Sequence, residues 1–414
     1  MINLTSEERH EARYQRRKAA RLAKAAPICG KPFEDVMNFP NMVRAGKACC
    51  NGSRWKTSTI NFETNLLGEC RTVLDRIEDG TWKFSGFRSF TTVEHGKARQ
   101  IDALRIQDRA PQKCMCRNIL TEAMSRSFIR NNCACLKNRG MDFMLKALKE
   151  DLRRHYRKYG TAGGILQVDF SGYFRSIPHD GMKQRLCRAV WDEHLQTLLC
   201  QWVGDFRKMG NAPGDARGAG LGSEISQIIA LDYTSPIDHM IKDGLGIKGY
   251  GRYMDDLYVI SSSLDELKQI LREIRKMAVR LGLTLSEKKC RITPFRHHGF
   301  RFLKMRIRLT DTGKVVIKLN RKAIKQMRQK LTVFRKWVND GRFSFEDAAQ
   351  SYQSWRAYAK RCNSYNTLHG MDILFCRMFA EELRTRKRQF PCTLHAHRTS
   401  KGWRYHDLHS AQKI

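Results

Sequence analysis

Three aspartates carry the strongest chemical signal in the sequence. Asp169 closes the apolar run Ile165-Leu166-Gln167-Val168. Asp255 and Asp256 sit together in Tyr250-Gly251-Arg252-Tyr253-Met254-Asp255-Asp256-Leu257-Tyr258-Val259-Ile260, between two apolar, β-prone arms. Adjacent carboxylates between hydrophobic strands repel each other, so the arrangement is costly unless a cation sits there. Mg2+ suits the role, because it takes oxygen ligands and keeps positions for water and phosphate. Two such ions clamp the attacking and leaving oxygens of a phosphoryl transfer. Taken alone, an Asp-Asp pair reads better as an ordinary solvated turn.

The elements around these residues are legible from periodicity. Residues 165–170 form a short strand, followed by helices near His179–Val190 and His194–Phe206. A Gly-rich loop, Gly210 to Gly222, leads into a helix from about Ser223 to Lys242, and then the Asp-Asp hairpin. Leu264, Leu267, Leu271, Ile274, Ala278 and Leu281 recur at spacings of three and four, which predicts an amphipathic helix closed by Gly282. Upstream, a helix over 61–78 precedes a β-prone stretch, Trp82 to Leu104, turning at Glu94-His95-Gly96. A long helical segment then runs from Gln107 to Tyr159, broken near Asn131 and Gly140. Two β segments are expected near 299–309 and 314–319, and three helices after them. Residues 1–26 read as a charged helix, and 27–60, with Pro27, Pro32 and Pro40, as irregular.

The 414 residues contain 77 Lys and Arg against 41 Asp and Glu, a formal charge of +36. A surplus of this size repels itself unless a polyanion neutralises it, and nucleic acid is the natural partner. No run approaches 18 apolar residues, so no membrane span is expected, and no apolar segment follows the basic N-terminus. A soluble cytoplasmic protein is the expectation. Of the 14 cysteines, the pairs Cys114/Cys116 and Cys133/Cys135 are spaced more tightly than zinc ligands usually are, and read as buried free thiols.

Three segments together turn the bare Asp pair into a motif set. Tyr253-Met254-Asp255-Asp256 resembles the Tyr-x-Asp-Asp box of reverse transcriptases, and Asp169 followed by Tyr173-Phe174 resembles that family's first palm motif. Gly218-Ala219-Gly220-Leu221-Gly222-Ser223-Glu224-Ile225-Ser226-Gln227 is similar to the motif lying between them, with Gly220 where the family keeps proline. The segment from Gly80-Thr81-Trp82 through Gly96-Lys97-Ala98-Arg99 to Asp108-Arg109 resembles the fingers of bacterial members. Leu283-Thr284-Leu285 with Lys288-Lys289 resembles the motif after the catalytic hairpin, and Gly299 to Leu303 the primer grip.

The resemblance implies an α+β right-hand polymerase: a basic extension over 1–60, fingers and palm over 61–310, and a helical thumb over 311–414. It implies an RNA-directed DNA polymerase in which Asp169, Asp255, Asp256 and the Phe170 carbonyl bind two Mg2+ ions, Mn2+ being an alternative. Lys97 and Arg99 would hold the triphosphate of a dNTP, as cations that neutralise charge on transferred phosphate. Phe174 would exclude the ribose 2′-hydroxyl. Gln227 would steady template or nucleotide, or else only cap its helix. Lys289 would be the general acid for pyrophosphate, with Lys288 not separable from it. Arg109 would touch template backbone or pair with Asp108, and Tyr253 would face nucleic acid. On the thumb, Lys318, Lys322, Lys325 and Arg328 would line duplex phosphates. The partners implied are an RNA template, a DNA primer and its cDNA product, with a dedicated non-coding RNA, in antiphage defence or a bacterial retroelement. The rivals are a catalytically idle RNA-binding scaffold, an RNA-directed RNA polymerase, and a group II intron maturase.

Overall fold

The computed structural model describes residues 6–94, 97–206, 216–220, 222–296, 298–385, 394–399 and 402–407. Two compact units make up the chain: Met1–His155 with Gly163–Ile292, and Tyr156–Ala162 with Thr293–Ile414. Helices and antiparallel strands are mixed in both, the α+β content expected from the sequence.

The first unit begins with the helix Ser6–Cys29, most of whose described side chains are exposed while Cys29 is buried. The stretch expected to be irregular is then helical: Phe33–Val36, Phe39–Cys50 and Thr57–Thr64. Its prolines punctuate helices instead of loops. Pro27 lies in the last turn of the first helix, Pro32 precedes the second, and Pro40 stands in the first turn of the third, where a missing N–H costs nothing. Asn38 caps that third helix by accepting from the Asn41 N–H. Phe33, Val36, Met42, Cys49 and Cys50 are buried in the same core as the strands below. The helix expected over 61–78 is instead a pair meeting at Asn65, the second being Leu66–Glu78.

Strands β1 (Phe87–Glu94) and β2 (Lys97–Leu104) pair as an antiparallel hairpin. Helix Ile106–Met115 continues through one π-helical turn into Thr121–Ser125, and helix Met141–Tyr159 follows a non-helical stretch containing Asn131 and Gly140. Strands β3 (Gly164–Val168), β4 (Tyr250–Tyr253), β5 (Asp256–Ser261) and β6 (Arg291–Pro294) form one sheet in the order β4-β5-β3-β6. Helix Leu264–Arg280 starts at Ser263, which caps the Glu266 N–H; it buries Leu267, Ile274 and Ala278 of the expected stripe together with Ile270, which was not among them, while Leu264 and Leu271 are only partly buried. Gly282 follows it at φ +69°.

In the second unit, β7 (Phe300–Phe302), β8 (Met305–Leu309) and β9 (Val315–Lys318) form a meander. The segment expected as one strand over 299–309 is broken by Leu303 and Lys304, both in the left-handed region. Helices Arg321–Asn339, Phe345–Ala359 and Tyr365–Met378 pack around Met327, Leu331, Phe334, Tyr352, Met371 and Phe375. A further hairpin, β10 (Leu394–Thr399) and β11 (Gly402–Asp407), has no counterpart in the sequence expectation. Among the described residues no helix is long and apolar enough to cross a membrane.

Candidate active site

Strand β3 is a centre strand, buried except at the half-buried Gln167, and its pairing with β5 runs from Gly164 opposite Ser261 to Val168 opposite Leu257. Continued one step, that register sets Asp169 against Asp256. Gly163 allows the strands to approach, since a Cβ there would lie 2.1 Å from the Ser261 carbonyl oxygen. Strands β4 and β5 pair out to Tyr253 and Asp256, which leaves Met254 and Asp255 as a two-residue turn. Met254 has φ +59°. A positive φ at the first turn position matches the twist of a hairpin, although a side chain there costs about 1–2 kcal/mol. The guanidinium of Arg252 donates to the Met254 carbonyl at 3.0 Å. A charge-assisted bond of this kind is worth about 1.5–3 kcal/mol, enough to hold the strained turn.

Residues 169–171 are zipped to the segment after the helix Leu264–Arg280. The Ser171 N–H donates to Thr284, the Ser286 N–H to Asp169, and Phe170 bridges Leu285. The turn at Ser286 then brings Lys289 back, and its Nζ donates to both Asp169 carboxylate oxygens at 2.6 Å. Burial raises the pKa of Asp256 to about 7, with the charges of Asp255 and Asp169 and a hydrogen bond to Asp169 adding to it. Burial works against the Lys289 ammonium, yet Asp169, Asp256 and Asp255 hold its pKa above the ordinary lysine value. Asp169, Asp255, Asp256 and Lys289 thus form one electrostatic cluster.

The chemistry of that cluster fits a hard divalent cation: carboxylate oxygens, partly buried, crowded enough to hold a proton near neutrality. Among the described residues, no three His, Cys, Asp or Glu side chains are gathered as ready ligands of one ion. Both oxygens of Asp169 accept from the Lys289 ammonium. Lys288 is exposed and makes no comparable bond among those described.

Other expected residues fall around the cluster unevenly. Phe170 is buried with its ring 5.4 Å from Tyr173. Phe174 is half-buried and meets Tyr173 edge-on at 5.8 Å, while its carbonyl accepts from the Ala219 N–H. Tyr173 is locked by donating to the Ala230 carbonyl at 2.5 Å. Gly220, in the place of the family's proline, has φ +55°, a value the proline ring excludes. Leu221 of this loop lies outside the described residues. Gln227 is exposed, and the cap of its helix Glu224–Tyr233 is Ser223, which corrects the capping alternative for Gln227. Asp108 accepts from the Ser85 N–H and hydroxyl, so its oxygens are committed there and not to Arg109. Arg109 itself is half-buried on the helix Ile106–Met115. Lys97 and Arg99 stand on β2 opposite Glu94 and Thr92, and their side chains lie outside the described residues. Tyr253 is half-buried beside the turn.

In the second unit, Lys318, Lys322, Lys325 and Arg328 are all exposed. Lys318 ends strand β9, whereas the other three stand on the helix Arg321–Asn339, two further cations of which are otherwise engaged: Arg335 pairs with Glu382, and Lys330 donates to Ser351 at 3.0 Å. Cys114, Cys116 and Cys133 are buried free thiols as expected, whereas Cys135 is exposed.

Sequence reasoning missed Arg252 and Asp238. Arg252 Nη2 and Asp238 are paired at 2.6 Å, both side chains fully enclosed. A charged residue inside an apolar strand, two positions before the turn, was the available signal.

Residues 89–307 match the family described as reverse transcriptase (RNA-dependent DNA polymerase). Among solved structures, the chain is similar to telomerase from Candida albicans in complex with a TWJ fragment of telomeric RNA, at 12% identity and a TM-score of 0.47. That alignment covers 76% of this chain and 58% of the other, so the chain spans under two thirds of that relative's length. No curated protein matches the chain.

Proposed function

The chain belongs to the reverse transcriptase family and has its right-hand polymerase fold, and from that premise we propose that it copies RNA into DNA. The observation that carries the reading is the cluster itself: Asp169 set against Asp256 by strand register, Asp255 on the adjoining turn, and Lys289 on Asp169. When bound, divalent ions, Mg2+ or Mn2+, would supply charge stabilisation to the attacking 3′-oxygen and the departing pyrophosphate. Asp169, Asp255, Asp256 and the Phe170 carbonyl are the groups that would hold them.

The remaining roles belong to the chain's own side chains. Lys289, kept cationic by its carboxylate neighbours, would donate a proton to pyrophosphate. Phe174 would close the space beside the sugar 2′-carbon, and Gln227 would contact template or nucleotide. Lys97 and Arg99 would meet the triphosphate, Arg109 and Tyr253 the nucleic acid. We take 61–310 as fingers and palm and 311–414 as thumb, with Lys318, Lys322, Lys325 and Arg328 on duplex phosphates. A dedicated non-coding RNA in a defence system or retroelement would be the natural template for a chain of this charge.

Primer extension on an RNA template with dNTPs and Mg2+ tests the reading. Asp255→Asn and Asp256→Asn should each lower extension by a thousandfold or more, roughly 4 kcal/mol of lost transition-state stabilisation, with RNA affinity near wild type. Template-dependent extension retained in both variants, or absent from the wild type, overturns it.

A further inference from the structure

Arg252 is enclosed completely, and so is its partner Asp238. The Arg252 Nε donates to Asp238 Oδ1 at 2.8 Å and Nη2 to Oδ2 at 2.6 Å, while Tyr250 donates to Oδ1 at 2.5 Å. The same guanidinium reaches two backbone carbonyls from its remaining edges. Nη2 donates to Leu231 at 2.7 Å, and Nη1 to Met254 at 3.0 Å. Leu231 belongs to the helix that carries Gln227, and Asp238 to the next helix, Ser235–His239. The Met254 carbonyl is one end of the peptide plane whose other end is the N–H of Asp255. One planar cation therefore ties two helices to the turn on which Asp255 is mounted. Its strand is pinned as well, because the Arg252 N–H donates to Asn131 and its carbonyl accepts from Cys133, both at 2.9 Å.

The second unit contains the same triad for comparison. Tyr352 donates to Asp372 at 2.6 Å, and Arg356 Nε and Nη2 donate to the two Asp372 oxygens at 2.8 and 2.9 Å. It lies between the helices Phe345–Ala359 and Tyr365–Met378, remote in sequence from any Asp-Asp turn. The Tyr–Asp–Arg arrangement is thus usable as a packing device alone. The bonds from Arg252 to Leu231 and Met254 relate its copy to the candidate site.

We propose that Arg252, oriented by Asp238, is a positioning residue that fixes the Met254–Asp255 peptide and so sets Asp255 for cation binding. The proposal rests on the reading of the Asp cluster given above. Lysine cannot replace the fork: one ammonium can stay with Asp238 but cannot also span to Leu231 and Met254 in a fixed plane.

The test uses the full chain and three proteins: wild type, Arg252→Lys, and Arg356→Lys as the comparison for a buried Tyr–Asp–Arg triad. Mn2+ binding followed by electron paramagnetic resonance needs no turnover, and primer extension separates kcat from KM. Arg252→Lys should weaken Mn2+ binding about tenfold or more and lower kcat comparably, the size usual for groups that orient a metal ligand. KM for dNTP should stay within about twofold. Arg356→Lys should lower the melting temperature without moving the Mn2+ midpoint. A folded Arg252→Lys protein with wild-type Mn2+ affinity and kcat overturns the proposal, as does an equal loss of Mn2+ affinity in Arg356→Lys. Should Arg252→Lys fail to fold, Asp238→Asn takes its place, since it keeps an acceptor of the same shape, and an unmoved Mn2+ midpoint there overturns the proposal equally. Wild-type protein that neither binds Mn2+ nor extends a primer would sink the polymerase reading itself, and this proposal with it.

Discussion

The Lys289 ammonium bridges both carboxylate oxygens of Asp169 at 2.6 Å. It therefore occupies a carboxylate that a divalent ion would need. Lys289→Met should tighten Mn2+ binding about three- to tenfold, the gain kept modest because the ammonium is half-exposed and screened by solvent. If Lys289 also protonates the leaving pyrophosphate, kcat should fall about a hundredfold in the same variant. Metal titration and single-turnover extension read the two effects separately. Unchanged Mn2+ affinity would show that the ion pair does not compete with metal.

Asp151 offers a pH test away from the cluster. Burial pushes its pKa up to about 6, against the hydrogen bond from Tyr258 and the charge of Arg154. Its proton is held more tightly folded than unfolded, where a carboxylate titrates near about 3.9. The resulting stability is present below that value and lost as pH rises through about 6. Between pH 4 and 7 the balance should shift in favour of Asp151→Asn over wild type by up to roughly 3 kcal/mol. Melting curves of both proteins across that range check it; a constant difference would contradict the raised value.

Phe174 tests sugar selection. Removing its ring gives up an edge-on contact to Tyr173 worth about 0.5–1.5 kcal/mol, so the fold should survive. Phe174→Ala should incorporate ribonucleotides at least about tenfold more readily relative to dNTPs. Competition between dCTP and CTP on one template measures this directly, and unaltered preference removes the gate.

The exposed cations of the helix Arg321–Asn339 test the thumb. Phosphate contacts carry no base information, so Lys322→Gln, Lys325→Gln and Arg328→Gln combined should weaken all duplexes alike. Each lost contact should flatten the log–log salt slope by about 0.7–0.9. A salt slope equal to wild type, with a lower melting temperature, would make these residues structural.

How much of this was legible beforehand varies with the kind of signal. Asp169, the hairpin that carries Asp255 and Asp256, and the helix Leu264–Arg280 were readable because strand and helix periods mark them locally. The salt bridge between Lys289 and Asp169 was not, since it depends on the pairing of 169–171 with 284–286 across more than a hundred residues of chain. Residues 33–50 were misread because proline was taken as a loop former, while Pro32 and Pro40 stand where helices begin. Arg252 went unnoticed because a single cation in a cationic chain stands out only when its burial is known.

The path of the chain has a further consequence. It leaves the first unit at His155, spends Tyr156–Ala162 in the second, and returns at Gly163, just before the strand that presents Asp169. Tyr156 donates to the Asp311 carbonyl at 2.6 Å, inside the second unit. During synthesis the ribosome must therefore emit this tyrosine well over a hundred residues before its acceptor exists. A nascent polypeptide halted after Ile292 would have made every residue of the Asp cluster, yet would still lack the Asp311 carbonyl to which Tyr156, in the last turn of the helix Met141–Tyr159, donates. Because Tyr156–Ala162 interrupts the first unit in sequence, no single cut in the chain separates the two.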